Sequence, residues 1–472
     1  MLFNSLEFFL FLPIVFFLYW KCNNTKKQNI LILISSYVFY GWWDWRFLFL
    51  IFISTVVDYF VALSIENNSD SKKRKRILCV SIFFNLALLG VFKYFNFFID
   101  SWIDFTSVFG YNIENTWSLK IILPVGISFY TFQTMSYSLD VYRRELKATK
   151  DFISFASFVS FFPQLVAGPI ERASHLLPQI LNKRKFNYIQ SIKGLRLILW
   201  GLFKKVVIAD SLSLLVNPIF DNYLDLNGGI LLLGLIYFSF QIYCDFSGYS
   251  DIAIGTAKLF GIELRSNFIF PYFSRDIAEF WRRWHISLSS WFKDYLYIPL
   301  GGSKKGKWIS IRNVFIIFIV SGFWHGANLT FIIWGLMHSI LYLILSLRNQ
   351  NRRFTTVIVA ENRALPSLKE AYQITITFLS VMFAWVFFRS DSVTDAFLYI
   401  LRIFTDITLP NVYRSGVIYV ILIILLDWWN RKDERNPLNI SNLYIRWTSY
   451  VILIILILGH SGQKNEFIYF QF

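Results

Sequence analysis

Residues 281–302 read WRRWHISLSSWFKDYLYIPLGG and form the centre of the most polar long stretch in the chain, residues 263–312. This stretch interleaves nine basic residues with four tryptophans. Such a composition is typical of amphipathic helices that lie at the inner membrane interface. A solvated cytoplasmic loop is the alternative interpretation.

The sequence around this basic, tryptophan-rich segment is strongly apolar. Of its 472 residues, 56% are hydrophobic and 16% are charged, whereas soluble domains carry about 25% charged residues. This excludes both a soluble and a disordered protein. We therefore predict an all-α polytopic membrane protein with a single membrane domain over residues 1–472. Residues 152–167 end in turn signals, which favours a re-entrant or interfacial segment. The apolar runs that predict helices are 5–20, 29–43, 47–64, 77–98, 119–141, 195–212, 229–247, 313–323, 329–347, 372–388, 416–428 and 447–460.

The chain carries 46 basic and 30 acidic residues, a formal net charge of +16. The basic residues lie mainly in short loops between apolar runs, as in residues 72–76, which read KKRKR. Cytoplasmic loops have this bias, so the charge argues for membrane topology and against a nucleic-acid partner. Counting crossings from these loops predicts that both ends of the sequence lie outside.

The cysteines and histidines do not form a metal-binding pattern. The three cysteines form no CxxC, and no HExxH motif is present. We therefore predict no structural metal and no disulfide framework. The first apolar run has neither a basic leader nor a small-residue cleavage site, so we interpret it as a membrane helix rather than a cleaved signal.

His325 lies between two apolar runs, in residues 321–328, which read SGFWHGAN. An ionisable residue at membrane depth is a functional candidate, and a neutral imidazole can take a proton near pH 7. A histidine that only packs against its neighbours is the alternative. On a helix, His285 would share one face with Trp281 and Trp284, which fits either a cavity wall or simple packing.

Two acidic positions and an aromatic tail are further unusual features of the sequence. Asp245 and Asp251 are unusual carboxylates beside a membrane run, and structural ion pairing with Arg282, Arg283 or a histidine is the simplest interpretation. Residues 464–472 read KNEFIYFQF and form an aromatic tail, which we place on the extracytoplasmic side. An interfacial anchor would have the same composition.

Several motifs resemble the membrane-bound O-acyltransferase family, in the bacterial branch that acetylates alginate and peptidoglycan. They are LPVGISFY at 123–130, AGPI at 167–170, DFSGYSDIAIG at 245–255, the 281–302 stretch, RN at 312–313 and the segment around His325. The resemblance follows most of the chain in order. It implies a ring of tilted transmembrane and re-entrant helices around a thin central channel, in the bacterial cytoplasmic (inner) membrane.

The resemblance also implies roles for individual residues. His325 corresponds to the catalytic histidine of the family and His285 to its second histidine. By analogy Tyr469 is an acyl relay that hands the group to an extracytoplasmic SGNH-type O-acetyltransferase or directly to a polysaccharide. The donor implied is acetyl-CoA, or a carrier-protein thioester, as a substrate rather than a bound cofactor.

Chemistry adds two further expectations to this assignment. Asn328 is a candidate hydrogen-bond donor to the oxyanion of the tetrahedral intermediate. Arg282, Arg283 and Lys293 are candidates to hold the phosphates of coenzyme A.

The sequence alone leaves other functions open. A transporter or flippase of an envelope glycan or lipid-linked sugar would share this composition, although no internal repeat is visible. A scaffold of an envelope complex, and a protein or lipid acyltransferase of the same superfamily, are the remaining alternatives. The 281–302 stretch favours the polysaccharide branch.

Overall fold

Regular structure in this chain is helical. The computed structural model describes residues 1–111, 123–166, 168–355, 357–462 and 467–468, and no β-strand occurs among them. Within these residues seven stretches are long and apolar enough to cross a membrane, which confirms the all-α polytopic prediction. They are Thr25–Glu66, Ser71–Val108, Gly228–Leu259, Lys307–His325, Leu329–Leu347, Leu368–Arg389 and Leu443–His460.

The described residues divide into two compact units, and the first comprises Met1–Asn187 with Phe260–Leu264. Of the predicted re-entrant or interfacial run at 152–167, the residues 152–160 and 162–165 form two short helices separated at Phe161. The helices of this unit are α1 Leu6–Lys21, α2 Thr25–Asp44, α3 Leu48–Glu66, α4 Ser71–Leu89, α5 Phe95–Val108, α6 Ile127–Tyr142, α7 Phe152–Ser160, α8 Phe162–Leu165 and α9 Ala173–Leu181.

The second unit comprises Tyr188–Leu259 with Arg265–Phe472. Its helices are α10 Tyr188–Leu202, α11 Asp210–Asp221, α12 Gly228–Leu259, α13 Ile277–Arg283, α14 Ile286–Phe292, α15 Lys307–His325, α16 Leu329–Leu347, α17 Leu368–Arg389, α18 Val393–Thr405, α19 Val417–Asn430 and α20 Leu443–His460. π-Helical turns at Phe203–Ala209 and Lys293–Tyr297 follow α10 and α14. The prediction of one membrane domain over residues 1–472 stays a prediction.

Glycines bring α10 and α12 into direct backbone contact. A Cβ added to Gly201 would lie 2.5 Å from the carbonyl oxygen of Gly248, and one added to Gly255 would lie 2.5 Å from that of Gly194. Both pairs are seven residues apart along their helices, so the two contacts fall on one seam. This close approach explains the glycines of the DFSGYSDIAIG motif and holds the π-helical turn after α10 against α12.

Small residues also position the end of α15. A Cβ on Gly322 would collide with the backbone of Phe331 in α16, and a Cβ on Gly335 would collide with that of Phe318 in α15. The helices α15 and α16, which the three-residue connection at 326–328 joins, are therefore packed backbone to backbone at both glycines. This packing fixes His325, the last residue of α15.

Candidate active site

His325 is buried among aromatic rings of the second unit. It is 3% exposed, and its ring lies 4.9 Å from Trp324, 5.1 Å from Trp334 and 5.2 Å from Phe388, measured between centroids. The aromatic cluster, as we call His285, His325, Trp324, Trp334 and Phe388, is buried and contains no Asp, Glu, Lys or Arg side chain. Electrostatic interactions made inside it are therefore stronger than in water.

His285 lies at a bend between α13 and α14, in a left-handed conformation with φ of 44°. This conformation costs a residue with a side chain about 1–2 kcal/mol, so the surroundings must impose it. Two backbone hydrogen bonds do so: Ile286 N–H donates to Asn267 O at 2.9 Å, and Ile269 N–H donates to Arg283 O at 3.0 Å. The single face that the sequence predicted for residues 281–288 is thus broken at His285.

Asn267, which the sequence did not indicate, fixes the protonation of the His285 ring. Its Oδ1 accepts from the backbone N–H of Ser287 at 3.2 Å and lies 3.1 Å from Nδ1 of His285. A backbone N–H can only donate, so the atom facing both groups is the amide oxygen. Nδ1 of His285 therefore donates to it, and the lone pair of the neutral ring is at Nε2.

The electrostatics of His285 keep its ring neutral. Burial lowers the pKa of His285 to about 3, because a buried imidazolium would lose its hydration. Such a ring is a weak proton acceptor near pH 7, although it can still accept a hydrogen bond. His285 therefore suits holding a hydroxyl group better than removing its proton.

The structure brings the two candidate histidines together. Their ring centroids are 6.5 Å apart with 59° between the ring planes, although the residues are forty positions apart. The ring of Phe246 in α12 closes one side of His285 at 4.6 Å. A neutral hydrogen-bonding ring beside a second imidazole is an arrangement that can orient and deprotonate a hydroxyl nucleophile.

Asn328 has a structural role in this arrangement. It is the N-cap of α16, and its Oδ1 accepts from Thr330 N–H at 3.0 Å. Its Nδ2 donates to the carbonyl oxygen of Asp391 at 2.8 Å. Its Oδ1 is thus committed to the cap and one N–H of its Nδ2 to Asp391, so donation to an oxyanion would fall to the second N–H of Nδ2.

The three candidates for the coenzyme A phosphates differ in their accessibility. Arg282 donates to the carbonyl oxygens of Asn351 and Phe354, at 3.0 and 3.2 Å. Arg283 pairs with Glu279 at 2.8 Å. Lys293, by contrast, is exposed. Arg282 thus ties α13 to the connection at 351–354, Arg283 pairs within α13, and phosphate binding by all three stays a prediction.

Two carboxylates of the neighbouring helix α12 pair with lysines of the π-helical turn that follows α10. Nζ of Lys205 is 2.7 Å from Asp245 Oδ1 and 2.8 Å from Asp210 Oδ1, and Lys204 pairs with Asp251 at 2.5 Å. These five residues form the charge cluster. Ion pairing of Asp245 and Asp251 is confirmed, but their partners are lysines of the π-helical turn, not Arg282, Arg283 or a histidine.

The first part of the aromatic tail reaches the same region. Phe467 and Ile468 are 1% and 3% exposed, and Ile468 N–H donates to Asp245 Oδ2 at 2.8 Å. The Phe467 ring lies 5.8 Å from that of Phe246, which in turn contacts His285. Tyr469 lies outside the described residues, and its role as an acyl relay stays a prediction.

The other histidines have local partners. His175 pairs with Glu171 at 2.7 Å, and His460 lies 3.2 Å from the hydroxyl of Tyr419. His338 packs against Trp281 and Trp334 at 5.0 and 4.9 Å, in keeping with a structural role. Across the described ranges, no group of three or more His, Cys, Asp or Glu side chains is arranged to hold a metal ion.

Comparison with known proteins agrees with this architecture. The profile of MBOAT, the membrane-bound O-acyltransferase family, matches residues 42–383. A probable alginate O-acetylase AlgI of Pseudomonas putida is 41% identical over 397 residues, covering 83% of this chain and 78% of that protein. The peptidoglycan O-acetyltransferase of Helicobacter pylori is 36% identical over 427 residues, covering 84% of this chain and 78% of that protein.

A more distant similarity covers part of the chain. The teichoic acid D-alanyltransferase of Bacillus subtilis is 31% identical over 235 residues, 47% of this chain and 58% of that protein. The matched profile contains the charge cluster, His285 and His325, together with the helices that position them. The aromatic tail at 464–472 lies beyond the profile.

Proposed function

The chain belongs to the membrane-bound O-acyltransferase family, and from this premise we propose that it moves an acetyl group across the membrane for O-acetylation of a polysaccharide. The donor is a cytoplasmic thioester, for which acetyl-CoA is our first candidate and a carrier-protein thioester the second. The acceptor is a cell-envelope or secreted polysaccharide such as alginate or peptidoglycan. Membership of an acyltransferase family sets aside the transporter, flippase and scaffold hypotheses.

The observation that carries this proposal is the buried pair of His285 and His325 in the aromatic cluster. A hydroxyl is a weak nucleophile until a base accepts its proton, and His325 is the base in our proposal. The hydroxyl oxygen bonds to the thioester carbonyl carbon as its proton passes to His325. The C–S bond then breaks and the proton leaves with the thiolate, so the products are an ester and a free thiol.

His285 has a different part in this proposal. Its Nδ1–H is held by Asn267, which places the lone pair of the neutral ring at Nε2, and in the proposal this atom accepts a hydrogen bond from the attacking hydroxyl. The low pKa of His285, about 3, supports this division, because a base in the chemical step needs a pKa nearer neutrality. Asn328 remains a candidate oxyanion donor, although its cap bonds argue against it.

The first acceptor in the proposal is Tyr469. Its hydroxyl attacks the thioester, and the tyrosyl ester is then exchanged with a hydroxyl of an SGNH-type partner enzyme or of the polymer, which restores the tyrosine. The proposal is supported by the position of Ile468, the preceding residue, which is bonded to Asp245 within the second unit. Transfer outside the bacterial cytoplasmic membrane requires the tail to lie on the extracytoplasmic side, as the charge pattern predicts.

The phosphate groups of a coenzyme A donor need a cationic side chain to contact. Lys293 is our preferred contact for a phosphate group because its ammonium is exposed. Arg282 and Arg283 would have to leave internal partners to bind a donor. They remain candidates only if the donor displaces those bonds.

The function is tested by ester-linked acetate released from the envelope by mild alkali. Cells without the protein are complemented with wild type, His325→Ala, or His175→Gln as a histidine control in the first unit, at equal membrane abundance. We expect wild type and His175→Gln to restore the released acetate. With His325→Ala the released acetate should be lower by about 100-fold or by a larger factor. Equal acetate from His325→Ala would refute the proposed base.

A further inference from the structure

Asp245 is buried, belongs to the charge cluster and has no role in the acyl transfer described above. One of its oxygens pairs with Lys205 at 2.7 Å, and the other accepts the backbone N–H of Ile468 at 2.8 Å. Ile468 is 223 positions away in sequence, so this bond exists only in the folded chain. A buried carboxylate that accepts a hydrogen bond from one backbone amide makes a specific tertiary contact.

The side chain next to this amide is also held. The ring of Phe467 lies 4.7 Å from that of Tyr249 and 5.8 Å from that of Phe246, one helical turn apart on α12. Phe467 is 1% exposed, so burial of its ring removes most of its apolar surface from water. The tail seat, as we call Asp245, Phe246 and Tyr249, therefore binds the tail segment through one backbone bond and one aromatic ring.

The geometry points to Asp245 as a positioning residue that anchors the tail segment Phe467–Ile468 beside the catalytic histidines. Lys205 holds the carboxylate in place through this ion pair, and Asp210 holds Lys205 from the other side. Phe246 is shared, since its ring touches both Phe467 and His285. The anchor thus sets the distance between the tail and the aromatic cluster.

The positioning role rests on the proposed function, but the anchor itself does not. Amide hydrogen exchange of the full-length protein, read at single-residue resolution by mass spectrometry, measures the anchor without any substrate. We expect Asp245→Ala to speed exchange at Ile468 by about 10- to 100-fold, the loss of one hydrogen bond to a charged group. Asp245→Ala leaves the ion pair of Lys205 with Asp210 in place, so the fold should persist.

Asp251→Ala is the matched control. It also removes an α12 carboxylate from an ion pair with a buried lysine, Lys204, but Asp251 is not part of the tail seat. We expect it to leave exchange at Ile468 unchanged. Asp245→Asn keeps an acceptor oxygen and should retain more protection than Asp245→Ala. Unchanged exchange in Asp245→Ala, or an equal loss in Asp251→Ala, would overturn the anchor.

Tyr469→Phe separates the anchor from the proposed relay. It changes no group of the tail seat, so we expect wild-type exchange at Ile468 together with loss of acetate transfer. Protection with undiminished transfer in Tyr469→Phe would leave the anchor standing and refute the relay. Loss of protection in Asp245→Ala with undiminished transfer would confirm the anchor and refute its positioning role.

Discussion

The aromatic cluster and the charge cluster lie in the same unit, and they accommodate buried ionisable side chains in opposite ways. Around His325 the neighbours are rings, and His285 stays neutral because burial holds its pKa at about 3. Around Lys205 the neighbours are carboxylates, and each buried lysine has an acidic partner within 2.8 Å. The first region brings two imidazole rings together without a charged partner from Asp, Glu, Lys or Arg in the aromatic cluster, whereas the second uses its charges to hold elements of the chain together.

The difference predicts what each region tolerates. A buried ion pair loses much when one partner is removed, because the other charge stays buried, and little when both are removed. A neutral ring cluster loses function when a ring nitrogen changes, while its packing survives a replacement of similar size. The following predictions test this contrast, from the largest expected effect to the smallest.

Lys204→Met should lower the free energy of unfolding by about 3–5 kcal/mol, because Asp251 would remain without its cation. The double variant Lys204→Met/Asp251→Leu should recover most of that loss. Denaturation of the purified protein in detergent measures both. Equal destabilisation by the single and double variants would mean that the pair contributes through packing rather than charge.

Acid should destabilise the protein through His285. Its pKa of about 3 in the folded state lies below the value of 6.5 expected after unfolding, so the unfolded state binds more protons between these values. The free energy of unfolding therefore keeps its full value above pH 6.5. Below that pH it falls by about 1.4 kcal/mol per pH unit, a total loss of about 3 kcal/mol at pH 4.5.

His285→Asn isolates this contribution, since asparagine tolerates the left-handed backbone and does not titrate. The difference in unfolding free energy between wild type and variant, measured from pH 8 to pH 4.5, should shrink as the pH falls. A constant difference across that range would show that His285 is not held neutral by burial.

Asn267→Leu should lower kcat for acetate transfer by about tenfold, because His285 loses the acceptor that fixes its Nδ1–H, a bond worth about 1 kcal/mol or more. Ser287→Ala is the control: it removes the hydroxyl that donates to Asn267 at 2.9 Å but keeps the bond to His285. We expect the control to stay near wild-type kcat. If the two variants are equally active, the tautomer of His285 does not matter.

The sequence predicted the long apolar helices and singled out both histidines as candidates, because apolar length and scarce ionisable residues are visible locally. It did not predict Asn267, since a single asparagine carries no local signal and its contact with His285 depends on a bend that no periodicity shows. The lysine pair at 204 and 205 was a missed signal. Two cations inside the apolar run 195–212 require acidic partners, and Asp245 lies in the next such run, 229–247, with Asp251 just after it.

The arginines show another limit of the sequence. Arg282 and Arg283 stand in a basic segment, which favoured an anionic ligand. In the structure their guanidinium groups bond to backbone carbonyls and Glu279, because polar groups buried in the protein must be paired. Whether a basic residue faces a ligand or its own chain is decided by tertiary contacts that charge counting does not contain.

Asn328→Ser gives the smallest expected effect and the sharpest comparison between structural and catalytic polarity. Serine caps a helix about as well as asparagine, so α16 should keep its N-terminus and acetate transfer should change less than about twofold. An oxyanion donor removed from an acyl-transfer site would instead cost about 100- to 1000-fold in kcat. Asn328→Ala, which loses the cap, should lower stability by about 1 kcal/mol while sparing kcat. A large fall in kcat for Asn328→Ser, with stability unchanged, would return Asn328 to the catalytic group as the oxyanion donor.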